Sequence, residues 1–373
     1  MKAVILVGGE GTRLRPMTIH TPKAMVPVVN RPFLEHMIEH LKAHQIRDII
    51  LALGYLPRPI QAHFNDGLAF GVKLTYIVED TPLGTAGAVQ NVASHLDGET
   101  FLVLNGDVFS DLDLTAMLAF HREKKAMVTI ALTPVDDPTR YGVVETGSEG
   151  RVLRFVEKPP REEVTTNLIN AGAYFLEPQI LSHIPKGVFY MFEQGLFPLL
   201  LSLGAPVYGY PSQGYWIDIG TPEKYLALNR DILQGRTFCP ALGRSPLNGL
   251  WLAEGCEISP LARVSGPVVL GEGCVLGAEA YVRGPAVLGP GCRLGQQVMV
   301  EEAVLWREVT VKDGAIIRGS IVGRGSIIEK GSLVEAGSVL GDGVTVERGS
   351  RVESGTRLWP EIWTGPKVSQ GQD

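Results

Sequence analysis

No histidine follows His183, although the chain runs to 373 residues and carries eight of them. The last half of the protein therefore has no imidazole to act as a base or metal ligand. Cysteine is scarce: four residues in so long a chain do not make a disulfide framework, and none are spaced Cys-x-x-Cys. Long apolar runs are missing too. Nothing approaches the roughly 18 residues that span a bilayer, and Ala3 to Val7 is too short for a signal core. Basic charge is not in excess, with 34 Lys+Arg against 40 Asp+Glu, so the chain has no electrostatic reason to coat nucleic acid, local basic pockets aside. These absences lead to the expectation of a cytoplasmic protein that binds neither membrane nor nucleic acid. What is present, 45% hydrophobic and 20% charged residues, is the balance of a globular chain long enough for two or three domains.

Composition changes near residue 236. Glycine occurs 21 times before it and 23 times in the shorter stretch after it. The first part alternates short β-rich runs (Val4 to Val7, Ile49 to Leu53, Leu74 to Val78, Phe101 to Leu104, Val128 to Leu132) with helical patterns. Pro32 to His44 is one such helix, with Leu34, Met37, Ile38 and Leu41 on a single face. This order predicts an α/β domain over residues 1–235, a Rossmann-like, mostly parallel sheet with helices on both faces. Thr221 as cap and Pro222 at the first position start its last helix, which carries Tyr225, Leu226, Leu228 and Ile232 and stops at Gly235.

Residues 236–373 repeat every six positions. Val264, Leu270, Leu276, Val282, Leu288, Leu294 and Val300 form one run; Val322, Ile328, Val334, Leu340, Val346, Val352 and Leu358 form another. Between them the frame slips by two, bridged by Val311 and Ile317, as if two turns had each lost a residue. One inward aliphatic per six residues predicts a left-handed parallel β-helix with about 18 residues per coil. Cys256, Cys274 and Cys292 then stack one coil apart, and read as small side chains at equivalent turns rather than a metal ladder. Trp251, Trp306, Trp359 and Trp363 are candidates for contacts or end caps, and the flat faces of such a prism predict a homo-oligomer.

The strand Ala3 to Val7 runs into Gly8-Gly9-Glu10-Gly11-Thr12-Arg13-Leu14-Arg15-Pro16, followed by Pro22-Lys23. Glycines after a buried strand let backbone N–H groups approach a phosphate, and Arg13 and Lys23 add cationic charge. The string is neither a dinucleotide fingerprint nor a Walker loop. Asp107 follows Phe101 to Leu104, which places it at the carboxyl end of a strand, where open α/β sheets bind ligands. Taken alone, either Asp107 or Asp218 would be an ordinary cap or turn residue.

Together with Leu83-Gly84-Thr85-Ala86-Gly87, Asn105-Gly106-Asp107, Tyr141-Gly142-Val143, Glu157-Lys158-Pro159, Asn170-Ala171-Gly172 and Trp216-Ile217-Asp218-Ile219-Gly220, the string resembles the sugar-1-phosphate nucleotidyltransferases, in the family's order across residues 1–235. With the hexapeptide tail, the chain is most similar to the mannose-1-phosphate guanylyltransferase branch. The resemblance implies attack of a sugar 1-phosphate on the α-phosphorus of a nucleoside triphosphate, with Mg²⁺ held by Asp107 and Asp218 and charge neutralised by Arg13 and Lys23. It implies a nucleotide site of Gly8, Gly9, Gly11, Thr12, Arg13, Glu79, Gly84 and Thr85. The sugar-phosphate site would comprise Gly142, Glu157, Lys158, Asn170 and Gly172. Glu79, an acceptor only, leans toward guanine, which offers two adjacent donors. A glucose-1-phosphate thymidylyl- or uridylyltransferase would use the same motifs. A non-catalytic regulatory subunit shares the two-part organisation, but a degenerate copy would be expected to lose some of Arg13, Lys23, Asp107, Lys158 and Asp218, and all five are present. Coenzyme A-dependent acyl transfer in the tail is disfavoured, because such sites use a histidine base.

Overall fold

The computed structural model describes residues 1–237, 239, 240, 242, 249–364, 367 and 368. The chain folds as two compact units: Met1–Glu10 with Met37–Asp218, and Gly11–His36 with Ile219–Asp373. The units do not follow the composition break at residue 236, for a reason visible in the second unit.

In the first unit the apolar strand Lys2–Val7 lies between Asp48–Leu53 and Phe101–Asn105, parallel to both, with Lys73–Val78 beyond Asp48–Leu53. A nearly continuous aliphatic run suits a strand covered on both faces, and Ala3, Val4 and Ile5 are fully buried. This parallel half agrees with the expectation from sequence. Antiparallel pairings complete a nine-stranded mixed sheet through the long strand Leu168–Leu176, which adds to Phe101–Asn105, Val128–Pro134 and Gly142–Thr146. Its register slips between Asn170 and Tyr174, and Gly172 within the slip has φ of 75°. A bulge there re-aims side chains toward one end of the sheet, which gives Asn170-Ala171-Gly172 a structural meaning. The first expected helix forms over Phe33–Ala43 with Leu34, Met37, Ile38 and Leu41 buried. Among the described residues no helix is long and apolar enough to cross a membrane.

In the second unit, three seven-stranded parallel sheets make a β-helix. Coil register is 18 residues from Val268 to Ala286, falls to 17 from Val287 to Val304 and from Val304 to Ile321, and returns to 18 from Ile321 to Val339. The missing residues lie between Val300 and Leu305 and between Ile317 and Val322, so Leu305 joins Val311 and Ile317 in the bridge. The inward aliphatics from Leu270 to Leu358 form one core. Each contributes about 1.5–3 kcal/mol relative to an exposed side chain, as an upper figure. Cys256, Cys274 and Cys292 direct their thiols at the carbonyls of Gly271, Gly289 and Trp306 in the next coil. Ser326 occupies the same column and donates to the Gly341 carbonyl at 3.0 Å. The thiols thus stand where the fold elsewhere uses a hydroxyl to tie coil to coil.

The helix Pro222–Leu233 begins as expected, with Thr221 Oγ1 accepting from the Lys224 N–H. It buries Tyr225, Leu228 and Ile232, while Leu226 is only partly covered. It packs within the β-helix unit, and this is why residues 219–235 join the tail. Trp306 is buried, Trp359 is exposed, and the Trp363 side chain lies outside the described residues.

Candidate active site

A short antiparallel ladder brings the backbones of the two expected metal residues close together. Val108–Ser110 pairs with Trp216–Asp218, and Asp218 stands opposite Val108, next to Asp107. Asp218 is 8% exposed and its Oδ2 accepts from the Tyr141 hydroxyl at 2.8 Å. Tyr141 in turn meets the Trp216 ring edge-on at 5.5 Å, and Trp216 Nε1 donates to the Ala171 carbonyl. Asp107 is half-buried at the strand end. Among the described residues no group of three His, Cys, Asp or Glu could hold a metal. Two carboxylates without nitrogen or sulfur donors fit a hard, oxygen-seeking cation that takes its other ligands from phosphate and water.

A second group gathers at the ends of the parallel strands. A methyl group at Gly8 would come within 3.9 Å of Glu79 Oε2, so the expected base reader lies beside the glycine-rich turn. Glu79 Oε2 accepts from the Leu83 N–H at 3.2 Å, and burial nonetheless pushes its carboxyl above the usual range. Gly84 has φ of 73°, and a side chain there would strike the Tyr190 carbonyl at 2.8 Å. Thr85 donates to Glu193 at 3.0 Å and accepts from the Phe192 N–H at 2.8 Å. Gly9 is exposed with open space around it.

The expected sugar-phosphate residues form a third group. A side chain on Gly142 would meet Phe155 at 2.5 Å and Glu157 Oε2 at 2.9 Å, so this glycine makes room for the carboxylate. Glu157 pairs with Lys158 at 3.3 Å. Asn170 Oδ1 accepts from the Gly172 N–H and its Nδ2 donates to the Tyr174 hydroxyl. Gly172 leaves room for Asn105, whose Nδ2 would lie 2.7 Å from an added methyl.

Gly11, Thr12, Arg13 and Lys23 belong to the other compact unit. Gly11 has φ of 65° and caps the short turn Thr12–Leu14; its carbonyl accepts from Thr18 Oγ1 at 2.8 Å. A methyl there would press on Thr18 and on Lys23 Cβ at 3.1 and 3.3 Å, so the glycine lets Lys23 pack close. Arg13 is exposed.

Three residues outside the expected site set also reach it, Glu193, Gly54 and Tyr141, the last within a motif but with no role expected of its side chain. Glu193 touches the Thr85 group and feels the charges of Glu157 and Lys158; burial chiefly raises its pKa. No local motif marks it. Gly54 packs its backbone on Gly8, and a methyl there would sit 2.7 Å from the Gly8 carbonyl oxygen. A carboxyl whose folded pKa is raised costs stability once pH rises above the ordinary carboxylate range. Glu193→Gln is therefore expected to raise Tm at about pH 7 and to lose that advantage toward about pH 4, as followed by calorimetry.

Residues 2–235 match the family described as "Nucleotidyl transferase", and residues 248–352 match the "EIF2B subunit epsilon LbH domain". Mannose-1-phosphate guanylyltransferase of Mycobacterium tuberculosis is 42% identical over 72% of this chain and 74% of its own length. UTP–glucose-1-phosphate uridylyltransferase of Synechocystis is 37% identical over 62% of this chain, and the match spans 63% of that relative. The structure of HddC from Yersinia pseudotuberculosis complexed with GMP-PN superposes with a TM-score of 0.54 at 31% identity, over 62% of this chain and 99% of that one. The chain belongs to the nucleotidyl transferase family.

Proposed function

We propose that the protein transfers the guanylyl group of GTP to mannose 1-phosphate, releasing pyrophosphate, with Mg²⁺ as the metal. The observation that carries this reading is the pairing of Asp218 beside Asp107 on one ladder, at the carboxyl end of a parallel strand. When bound there, Mg²⁺ would neutralise charge on the triphosphate and the departing pyrophosphate. Asp107 and Asp218 would hold it, and Tyr141 would orient Asp218. Gly8, Gly9, Gly11 and Thr12 would present backbone N–H groups to the nucleotide, with Gly84 and Thr85 shaping the base side. Arg13 and Lys23 would offset charge on the phosphates. Lys158 would hold the sugar's phosphate, while Glu157, Asn170 and the bulge at Gly172 face its hydroxyls and Gly142 makes space. No covalent nucleophile is required; two anions held in line react by positioning and charge neutralisation. The guanylyltransferase relative and the GMP-PN complex support the choice of base. A homo-oligomer built through the β-helix and a cytoplasmic location complete the proposal.

Pyrophosphate release over a grid of GTP, dTTP, UTP, ATP and CTP against mannose-, glucose-, galactose- and N-acetylglucosamine 1-phosphate tests it. A maximum at GTP with mannose 1-phosphate is expected. The uridylyltransferase relative favours one second reading, for which the maximum would fall at UTP with glucose 1-phosphate. Silence across the grid would revive the regulatory subunit. Glu79→Gln is expected to lower kcat/KM for GTP roughly tenfold and that for UTP much less, because a bond to a charged acceptor is exchanged for one to a neutral amide.

A further inference from the structure

In the unit that contains the β-helix, the strap 11–36 is tied to the tail at successive coils. Asn30 Nδ2 donates to the Leu288 carbonyl at 2.8 Å. Trp306 Nε1 donates to the Tyr225 hydroxyl at 3.1 Å, and that hydroxyl donates to the Pro27 carbonyl at 2.5 Å. Tyr225 is fully buried, and Asn229 one helical turn on accepts from the Val29 N–H at 2.9 Å. Near the far end, Arg357 Nη1 reaches the carbonyls of Arg13 and Arg15 at 3.5 and 3.4 Å. Leu288, Trp306 and Arg357 lie in or beside strands of the same seven-stranded sheet. The strap therefore runs lengthwise along one face of the solenoid. Of its cationic side chains, Arg13 sits at the Arg357 anchor and Lys23 on the stretch between that anchor and the one at Tyr225.

We infer that the β-helix is a positioning scaffold for the phosphate-facing strap, with Tyr225 and Arg357 as positioning residues that set where Lys23 and Arg13 stand. This rests on the proposed role of Arg13 and Lys23 in nucleotide binding. Pro27 and Lys23 are four residues apart, so a carbonyl fixed by a buried hydroxyl limits how far the lysine backbone can drift. Buried, fully partnered polar relays of this kind hold a single geometry, because any alternative leaves a donor or acceptor unpaired. Arg357 makes longer bonds at an exposed site, so its share is the smaller.

The test uses the full chain with Tyr225→Phe, Arg357→Gln and Arg357→Lys. Tyr225→Phe is expected to raise KM for the nucleotide roughly tenfold, since small misplacements of positioning groups carry such costs, while KM for the sugar phosphate stays at the wild-type value. Arg357→Gln should do the same to a smaller extent and Arg357→Lys should recover part of it. A role confined to stability would lower Tm and the active fraction but leave both KM values unchanged, and that result would overturn the inference. Amide hydrogen exchange gives an arm independent of activity. Residues 12–26 should exchange faster in Tyr225→Phe while 101–110 remain as in wild type; equal exchange in 12–26 would also overturn it. A wild-type enzyme silent on every substrate pair would count against the proposed function alone, leaving the exchange experiment to decide this point.

Discussion

Asp107→Asn and Asp218→Asn are each expected to lower turnover by about 10²-fold or more with the fold retained, the scale seen when one group stabilising developing charge is removed. The substitution keeps shape and removes one negative charge. For Asp218 the Tyr141 hydroxyl, 2.8 Å away, can still donate to the amide oxygen, so local packing has no cause to collapse. The loss should therefore fall on the metal. The Mg²⁺ concentration giving half-maximal rate should rise in both variants, and their unfolding midpoints should stay close to wild type. Wild-type turnover in either variant would remove that residue from the metal site. Tyr141→Phe is the graded companion: it leaves both carboxylates in place and deletes the hydrogen bond from the Tyr141 hydroxyl to Asp218, so a milder loss is expected.

The contrast between these residues shows what a sequence can convey. Asp107 was legible because it lies two residues past the end of an apolar strand, and the strand-end rule of α/β sheets assigns it a direction. Asp218 was legible only through its motif; its partner strand, Val108–Ser110, is three residues long and lies over a hundred positions away. The β-helix was read almost completely, since a six-residue period survives the two shortened turns and states the core directly. Glu193 was not legible. It precedes the site in no motif and reaches Thr85 from over a hundred residues on, so only tertiary packing reveals it. The same holds for the compact units. The sequence changes character at residue 236, but the strap 11–36 and the helix Pro222–Leu233 bury their anchors in the solenoid's unit, as Tyr225 and Trp306 illustrate. Truncation at residue 235 is consequently a poor test of assembly. It removes the packing partner of a buried helical face as well as any subunit interface.

Gly106→Ala is expected to be as damaging to turnover as loss of Asp107 itself, although it adds one methyl group and alters no charge. The Gly106 N–H donates to the Leu6 carbonyl at 3.0 Å, and an added Cβ would fall 2.4 Å from that same oxygen. Neither side can yield cheaply. Leu6 belongs to the central strand, paired with Ala52 on one side and Asn105 on the other, so moving its carbonyl would disturb two ladders. The segment carrying Asp107 must move instead. Overpacking of this kind costs about 1–3 kcal/mol of stability, and a displacement near 1 Å at a reacting geometry costs on the order of 10²-fold in rate. Urea unfolding and kcat measured on the same preparation separate the two effects. Gly98→Ala is the control: Gly98 has φ of 74° but open space around a new methyl. It should lose stability through backbone strain alone and keep full turnover. Gly106→Ala with undiminished kcat would mean that Asp107 does not depend on the close approach of its neighbour to Leu6, and the carboxylate pair would then owe its geometry to the Trp216–Asp218 strand instead.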